Sequence, residues 1–116
     1  MIDTDALAAI TSLQRPGKPD LLGRVVGLFE ANSPGLIDTI NTAHAGGDFE
    51  SMRAAAHSMK SSAAYLGATD FAQLCKNIEK AGHDEDADAC AEDVAQLRDC
   101  FDATIGALQA LQTKAA

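Results

Sequence analysis

The chain predicts an all-α fold: an antiparallel four-helix bundle, up-down-up-down, with an additional short helix at its N-terminus. Three observations lead there. Ala fills 23 of the 116 positions and is the strongest helix former, whereas the Val, Ile and Thr that favour strands are sparse. Apolar residues recur at intervals of three and four along nearly the whole chain, and no stretch alternates as a half-buried strand would. The breaks between periodic stretches are short, and short connections between long amphipathic helices make antiparallel neighbours. One domain over residues 1–116 is expected, because single domains cluster near ~100–150 residues and a chain of this size buries about two-thirds of its unfolded surface.

The first helix runs from about Thr4 to Gln14 with Leu7, Ile10 and Leu13 on one side. It stops before Arg15-Pro16-Gly17-Lys18-Pro19, where neither proline fits a helix interior. Pro19 suits the first turn of the second helix, in which Leu21, Leu22, Val25, Val26 and Phe29 keep the helical interval. Ser33-Pro34 has the form of an N-cap followed by proline at the first helical position. The sequence leaves open whether it separates two helices or kinks one. Leu36, Ile37, Ile40 and Ala43 carry the stripe on to Gly46-Gly47. Asp48 caps the next helix, which ends at Gly67, a natural C′ glycine. Asp70, with Gln73 three residues on, opens another in the manner of a capping box. That helix carries Phe71, Leu74, Cys75 and Ile78 and ends at Gly82. The acidic run Asp84-Glu85-Asp86 with Asp88 precedes the last helix, where negative charge suits the positive end of the dipole. The last stripe is Cys90, Val94, Leu97, Phe101, Ile105, Leu108 and Leu111.

The formal net charge of −8 opposes binding to nucleic acid or to an anionic membrane surface, since both would repel the chain. No apolar run approaches the ~20 residues of a membrane span, and the start is acidic rather than a basic signal region. A soluble cytoplasmic domain is expected, monomeric because a four-helix bundle closes on itself. Cys75, Cys90 and Cys100 are odd in number and form no C-x-x-C pair, which fits reduced thiols serving as small apolar residues.

Catalytic signatures are missing. The chain holds no G-x-S-x-G, no G-x-x-x-x-G-K-[ST] and no G-x-G-x-x-G. None of its five glutamates has a histidine three residues later, as a di-iron bundle requires. Cys75, Glu79 and His83 are spaced by four, a weak pattern for Zn²⁺ that needs further ligands from elsewhere; no metal is expected. His44 ends a helix beside Ala45-Gly46-Gly47, and His83 follows Gly82; both fit simple surface positions.

His57 differs. At about 100° per residue, Met52, Met59 and Leu66 fall within ~40° of one another and mark the core side, and His57 lies ~160° from Met59, facing out. Arg53 at i−4, Lys60 at i+3, Ser61 at i+4 and Ala64 at i+7 share its face. An exposed neutral imidazole is a competent nucleophile near neutral pH, and a lysine one turn away neutralises an incoming phosphoryl anion. Small neighbours (Ala54, Ser61, Ala64) leave the ring open to a second macromolecule. A surface His-Lys-Arg face without a role has the same spacing.

The stretch Ala56-His57-Ser58-Met59-Lys60-Ser61-Ser62-Ala63-Ala64-Tyr65-Leu66-Gly67-Ala68 resembles the signature of histidine-containing phosphotransfer (HPt) domains: a His, a Lys three residues on, small residues, then Leu-Gly-Ala. Phe71-Ala72-Gln73-Leu74-Cys75 with Ile78-Glu79, and upstream Phe29, Pro34, Leu36 and Gly47-Asp48, look like the family's flanking helices. The resemblance covers roughly residues 20 to 110. It implies a four-helix bundle in which His57 accepts a phosphoryl group from a receiver-domain aspartate and passes it to another receiver, with Lys60 contacting the phosphoryl group. The implied partners are receiver domains of response regulators or a hybrid histidine kinase. The resemblance further implies that the chain needs no cofactor, Mg²⁺ belonging to the receiver, and that it is a carrier rather than an enzyme. The family usually has Gly after the Lys; Ser61 stands there. Arg53, Ala54, Ser61 and Ala64 are expected to meet the partner, with Ile10 and Leu13 beside them if the first helix leans near that face.

A kinase dimerisation helix would carry an acidic residue directly after the His and a Pro soon after, and Ser58, Met59 and Lys60 follow instead. An adaptor that docks on receivers or kinases through the same face, without phosphorylation, is the alternative from another class.

Overall fold

A computed structural model describes residues 2–12 and 20–115. The helices are α1 (Thr4–Thr11), α2 (Leu21–Gly46), α3 (Phe49–Tyr65), α4 (Thr69–His83) and α5 (Ala91–Ala115), with a short 3-10 turn over Asp88–Cys90 before α5. Helices α2, α3, α4 and α5 pack in a ring, each against the next and α5 against α2, while α1 leans on α2 and α3. This is the all-α bundle with an extra N-terminal helix that the sequence predicts. Among the described residues no helix is long and apolar enough to cross a membrane.

The interior is built where the stripes meet. Phe29 of α2, Phe71 of α4 and Phe101 of α5 form an aromatic centre with ring centroids 5.5–5.9 Å apart. Met52, Met59 and Leu66, the side of α3 that the helical wheel assigns to the core, are all fully buried. All three cysteines are free thiols. Burial pushes the Cys75 thiol up to about 12, with the nearby Cys100 and Glu79 adding to the shift.

Helix ends follow local chemistry, with three departures. Asp20 caps α2 by accepting from the Gly23 N–H at 3.0 Å, and Asp48 caps α3 by accepting from the Ser51 N–H at 3.1 Å. Gly67 takes the left-handed conformation, φ 72°, and the N-terminal arm crosses it: the Asp3 N–H donates to the Gly67 carbonyl at 2.5 Å, and Ile2 forms a bridge with Ala68. A Cβ at Gly67 would strike the Asp3 carbonyl. The first departure is α2, which runs unbroken through Pro34. Pro34 contributes no N–H to the ladder, yet buried Phe29, Ser33 and Ile37 on either side hold one continuous helix. Ser33-Pro34 is therefore not a boundary. The second is α4, which begins at Thr69 after Ala68, with no side-chain cap. Asp70 sits inside the first turn, because the Gly67 turn and the N-terminal arm already fix the entry. The third is the end of α4, at His83 rather than Gly82; Gly82 is helical, and its missing side chain lets α4 lie against Arg53 and Phe49. Helix α1 ends at Thr11, and Leu13, Gln14 and both prolines of the following breaker lie outside the described residues.

Candidate functional site

Helix α3 supplies the centre. With Met52, Ala55, Ala56, Met59 and Ala63 buried, the 3.6-residue period turns His57 outward, and its side chain is 58% exposed. Helix α4 supplies the partner. Glu79, at the edge of the α4 apolar stripe, is only 19% exposed and reaches across to α3. The His57 Nδ1–H donates to Glu79 Oε2 at 2.5 Å, and Lys60 Nζ donates to Glu79 Oε1. One carboxylate thus holds both side chains.

This bond selects the tautomer. A carboxylate only accepts, so the proton sits on Nδ1 and the lone pair on Nε2. No described residue bonds Nε2, which leaves the nucleophilic nitrogen turned to solvent. Lys60 holds Glu79 below the usual carboxylate range, burial opposes the shift, and His57 adds to the lowering. Glu79 is therefore ionised at neutral pH. Lys60 carries three donors and uses one on Glu79, so two remain for an anion.

The other expected contacts divide. Arg53 shares the His57 face but turns back to Glu50, donating from Nη2 at 2.5 Å and from Nε at 3.3 Å; this bond holds the Glu50 carboxyl below its usual range. Ser61 is exposed and its hydroxyl donates to the His57 carbonyl at 3.2 Å. Ala54 and Ala64 are exposed and small, so the ring stands open as expected. Ile10 does not belong to this surface. It is 2% exposed, because α1 turns its Leu7 and Ile10 stripe into the bundle, so its side chain is not offered to a partner. Leu13 lies outside the described residues.

The helix spacing of Cys75, Glu79 and His83 does not gather a metal set, and among the described residues no group of three or more His, Cys, Asp and Glu side chains is arranged to hold one. Steps of four advance a helix by ~400°, a drift of ~40° each. Cys75 consequently falls in the core, Glu79 at the seam and His83 in solvent. His44 is not a plain surface residue: it is half-buried, and its Nε2 bonds the Ala87 carbonyl at 2.9 Å, tying α2 to the connection before α5.

A groove of about 260 Å³ runs beside the site between α2 and α3. Val25, Leu28, Leu36, Ser58, Ser62 and Tyr65 are among its lining residues. Leu28 and Tyr65 are large apolar side chains left 58% and 53% exposed, and both face this groove. Sequence reasoning missed it, because Leu28 breaks no pattern and Tyr65 stands beside a helix end. It also missed Glu79 as the brace of His57, although Ile78-Glu79 was already among the residues resembling the family.

The model of the Hpt domain family matches residues 24–107, more than half of the chain. The fold is similar to that of a crystal structure of histidine-containing phosphotransfer protein B (HptB) from Pseudomonas aeruginosa PAO1, with a TM-score of 0.83 and 19% sequence identity. That similarity covers 97% of this chain and 95% of the other. No curated protein sequence matches the chain. A family match that spans the bundle from within α2 to within α5, His57 included, establishes that the chain belongs to the Hpt domain family.

Proposed function

We propose that the chain is a phosphocarrier of a multistep two-component relay, with His57 as acceptor. The observation that carries this reading is the bond from His57 Nδ1–H to Glu79 beside Lys60, which leaves Nε2 free as a nucleophile. In the forward step Nε2 attacks the phosphorus of a receiver's phospho-aspartate. The N–P bond forms as the P–O bond breaks, and the aspartate leaves as a carboxylate. The Nδ1 proton stays in place, so the ring becomes positively charged and the Glu79 carboxylate compensates that charge without moving. Lys60 turns its free donors to the phosphoryl oxygens, a charge-assisted contact. The reverse step, onto a second receiver's aspartate, uses the same geometry.

The chain then supplies no turnover of its own; Mg²⁺ and the aspartates belong to the receivers. Receiver domains, free or part of a hybrid kinase, are the partners, and the Leu28–Tyr65 groove gives their docking an apolar footing next to His57. Ser61 in place of the family glycine adds a hydroxyl that is already bonded to the helix, so it leaves the ring accessible.

The test is transfer from phosphorylated receiver domains of the source organism to the protein, run beside His57→Gln. Label that is acid-labile and alkali-stable on the wild type, and missing from the variant, is the expected result. A folded protein that takes no label from any receiver would replace this reading with that of a docking adaptor.

A further inference from the structure

We infer that the seam between α3 and α4 is a basic docking face for an acidic partner surface, with Lys76 of α4 as its steering charge. The inference rests on the phosphocarrier reading, because it takes that acidic surface to be the mouth of a receiver's acceptor site.

The protein carries a net charge of −8, yet three cations gather along this seam. Arg53 and Lys60 come to it from α3 and Lys76 from α4, with His57 and His83 beside them. The carboxylates here are Glu50 and Glu79. Glu50 is taken by Arg53, and Glu79 is shared by Lys60 and His57. Three cations against these two carboxylates leave an excess of positive charge before either imidazole is counted.

Lys76 stands apart from the other two cations. At about 100° per residue it lies ~60° from Glu79, on the solvent side of the seam. It is exposed and no described residue forms an ion pair with it, Glu79 one turn away being taken by Lys60 and His57. Lys80, one turn further, is different: it pairs with Asp84 at 3.0 Å and lines the α4–α5 cleft with Asp93. The two lysines therefore separate local from global charge.

The partner's chemistry supplies the other half. An aspartate that receives a phosphoryl group with Mg²⁺ needs further oxygen ligands around the ion, mostly carboxylates, so its mouth is anionic. Complementary charge at the rim sets encounter rate and orientation more than final affinity, and salt screens it. Lys60 is committed to the phosphoryl group and Arg53 to Glu50, which leaves Lys76 to act at range.

The experiment measures the second-order rate of transfer from a phosphorylated receiver that labels the wild-type protein, across a salt series. The variants are Lys76→Gln, Lys76→Glu and Lys80→Gln, each checked for helicity and thermal midpoint. A charge acting across ~8 Å of water supports a loss of about twofold for Lys76→Gln and about sixfold for Lys76→Glu at low salt. Both losses should vanish near ~1 M salt, where the screening length is ~3 Å, and Lys80→Gln should track the wild type. Rates for Lys76 variants equal to wild type at low salt, a deficit that persists undiminished at high salt, or an equal loss in Lys80→Gln would each overturn the inference. If no receiver labels the wild type, the phosphocarrier reading falls and this face with it. A labelled wild type with salt-indifferent Lys76 variants refutes the docking face alone.

Discussion

Replacing Glu79 by Gln tests the site at its most informative point. The side chain keeps its shape and loses its charge, and an amide offers one oxygen where the carboxylate used two, one for His57 and one for Lys60. If the amide oxygen keeps the Nδ1–H, its NH₂ faces the ammonium and Lys60 is released. If it keeps Lys60, the NH₂ faces His57 and the tautomer is no longer held. Charge-assisted hydrogen bonds are worth ~1.5–3 kcal/mol and neutral ones ~0.5–1.5. His57 is more than half exposed, and solvent screening discounts the difference, so global stability should fall by less than about 1 kcal/mol. The ring gains positive charge only during transfer, so the larger effect belongs there. A loss of about 1–2 kcal/mol slows transfer by about five- to thirtyfold at ~1.36 kcal/mol per decade. Rapid-quench transfer from a phosphorylated receiver gives the rate, and the ¹⁵N shifts of the ring give the tautomer. Wild-type rate together with an unchanged tautomer in Glu79→Gln would refute the role given to this carboxylate.

Other expectations concern docking, core and titration. Leu28→Asp places a charge in the α2–α3 groove and should weaken receiver affinity by about tenfold or more in a calorimetric titration, consistent with ~1–3 kcal/mol for one apolar anchor; unchanged affinity would remove the groove from the interface. Phe71→Ala removes one ring of the mutually contacting three-ring cluster and should cost ~3–5 kcal/mol in a urea titration. In acid, Asp48, Glu50 and Glu79 are all held below their usual carboxyl values, by Ser51, Arg53 and Lys60 respectively. Such groups stabilise the folded state above their unfolded pKa values, and that contribution is lost as pH falls through the lower folded ones. Thermal midpoints should therefore be flat near neutrality and decline as pH drops below about 4, less steeply in Glu79→Gln.

Periodicity made the face of His57 legible, because Met52, Met59 and Leu66 define one side of α3 without any knowledge of what packs there. The caps at Asp48 and Gly67 were legible for the same local reason: each is decided within four residues. Glu79 as a brace was not. It lies 22 residues from His57, and only the register of α4 on α3 brings the two together. The continuity of α2 through Pro34 was likewise undecidable locally, since proline penalises the helix interior and only tertiary packing overrides it. Asp70 and Gln73 showed a valid capping pattern, but the N-terminal arm on the Gly67 turn had already set where α4 begins. For Ile10 the period was right and the direction wrong: the stripe of α1 marks what it buries, not what it offers to a partner. The even spacing of Cys75, Glu79 and His83 shared its drift with every run of fours on a helix, so spacing alone carried no ligand set.

Gly82 has a consequence for how closely the reactive geometry is toleranced. A methyl group there would come within 3.0 Å of the Arg53 Cβ and 3.1 Å of the Phe49 carbonyl, so bare backbone sets the gap between α3 and α4 at that end. Three residues away on α4, Glu79 spans the same gap to His57. A hydrogen bond fades over a few tenths of an ångström, whereas a packed core tolerates such a shift at modest cost. The spacing of the two helices is thus a calibrated clearance, and the imidazole is the part that reads it. Any change that prises α3 from α4 by the width of one methyl group disarms the nucleophile while the bundle itself still stands.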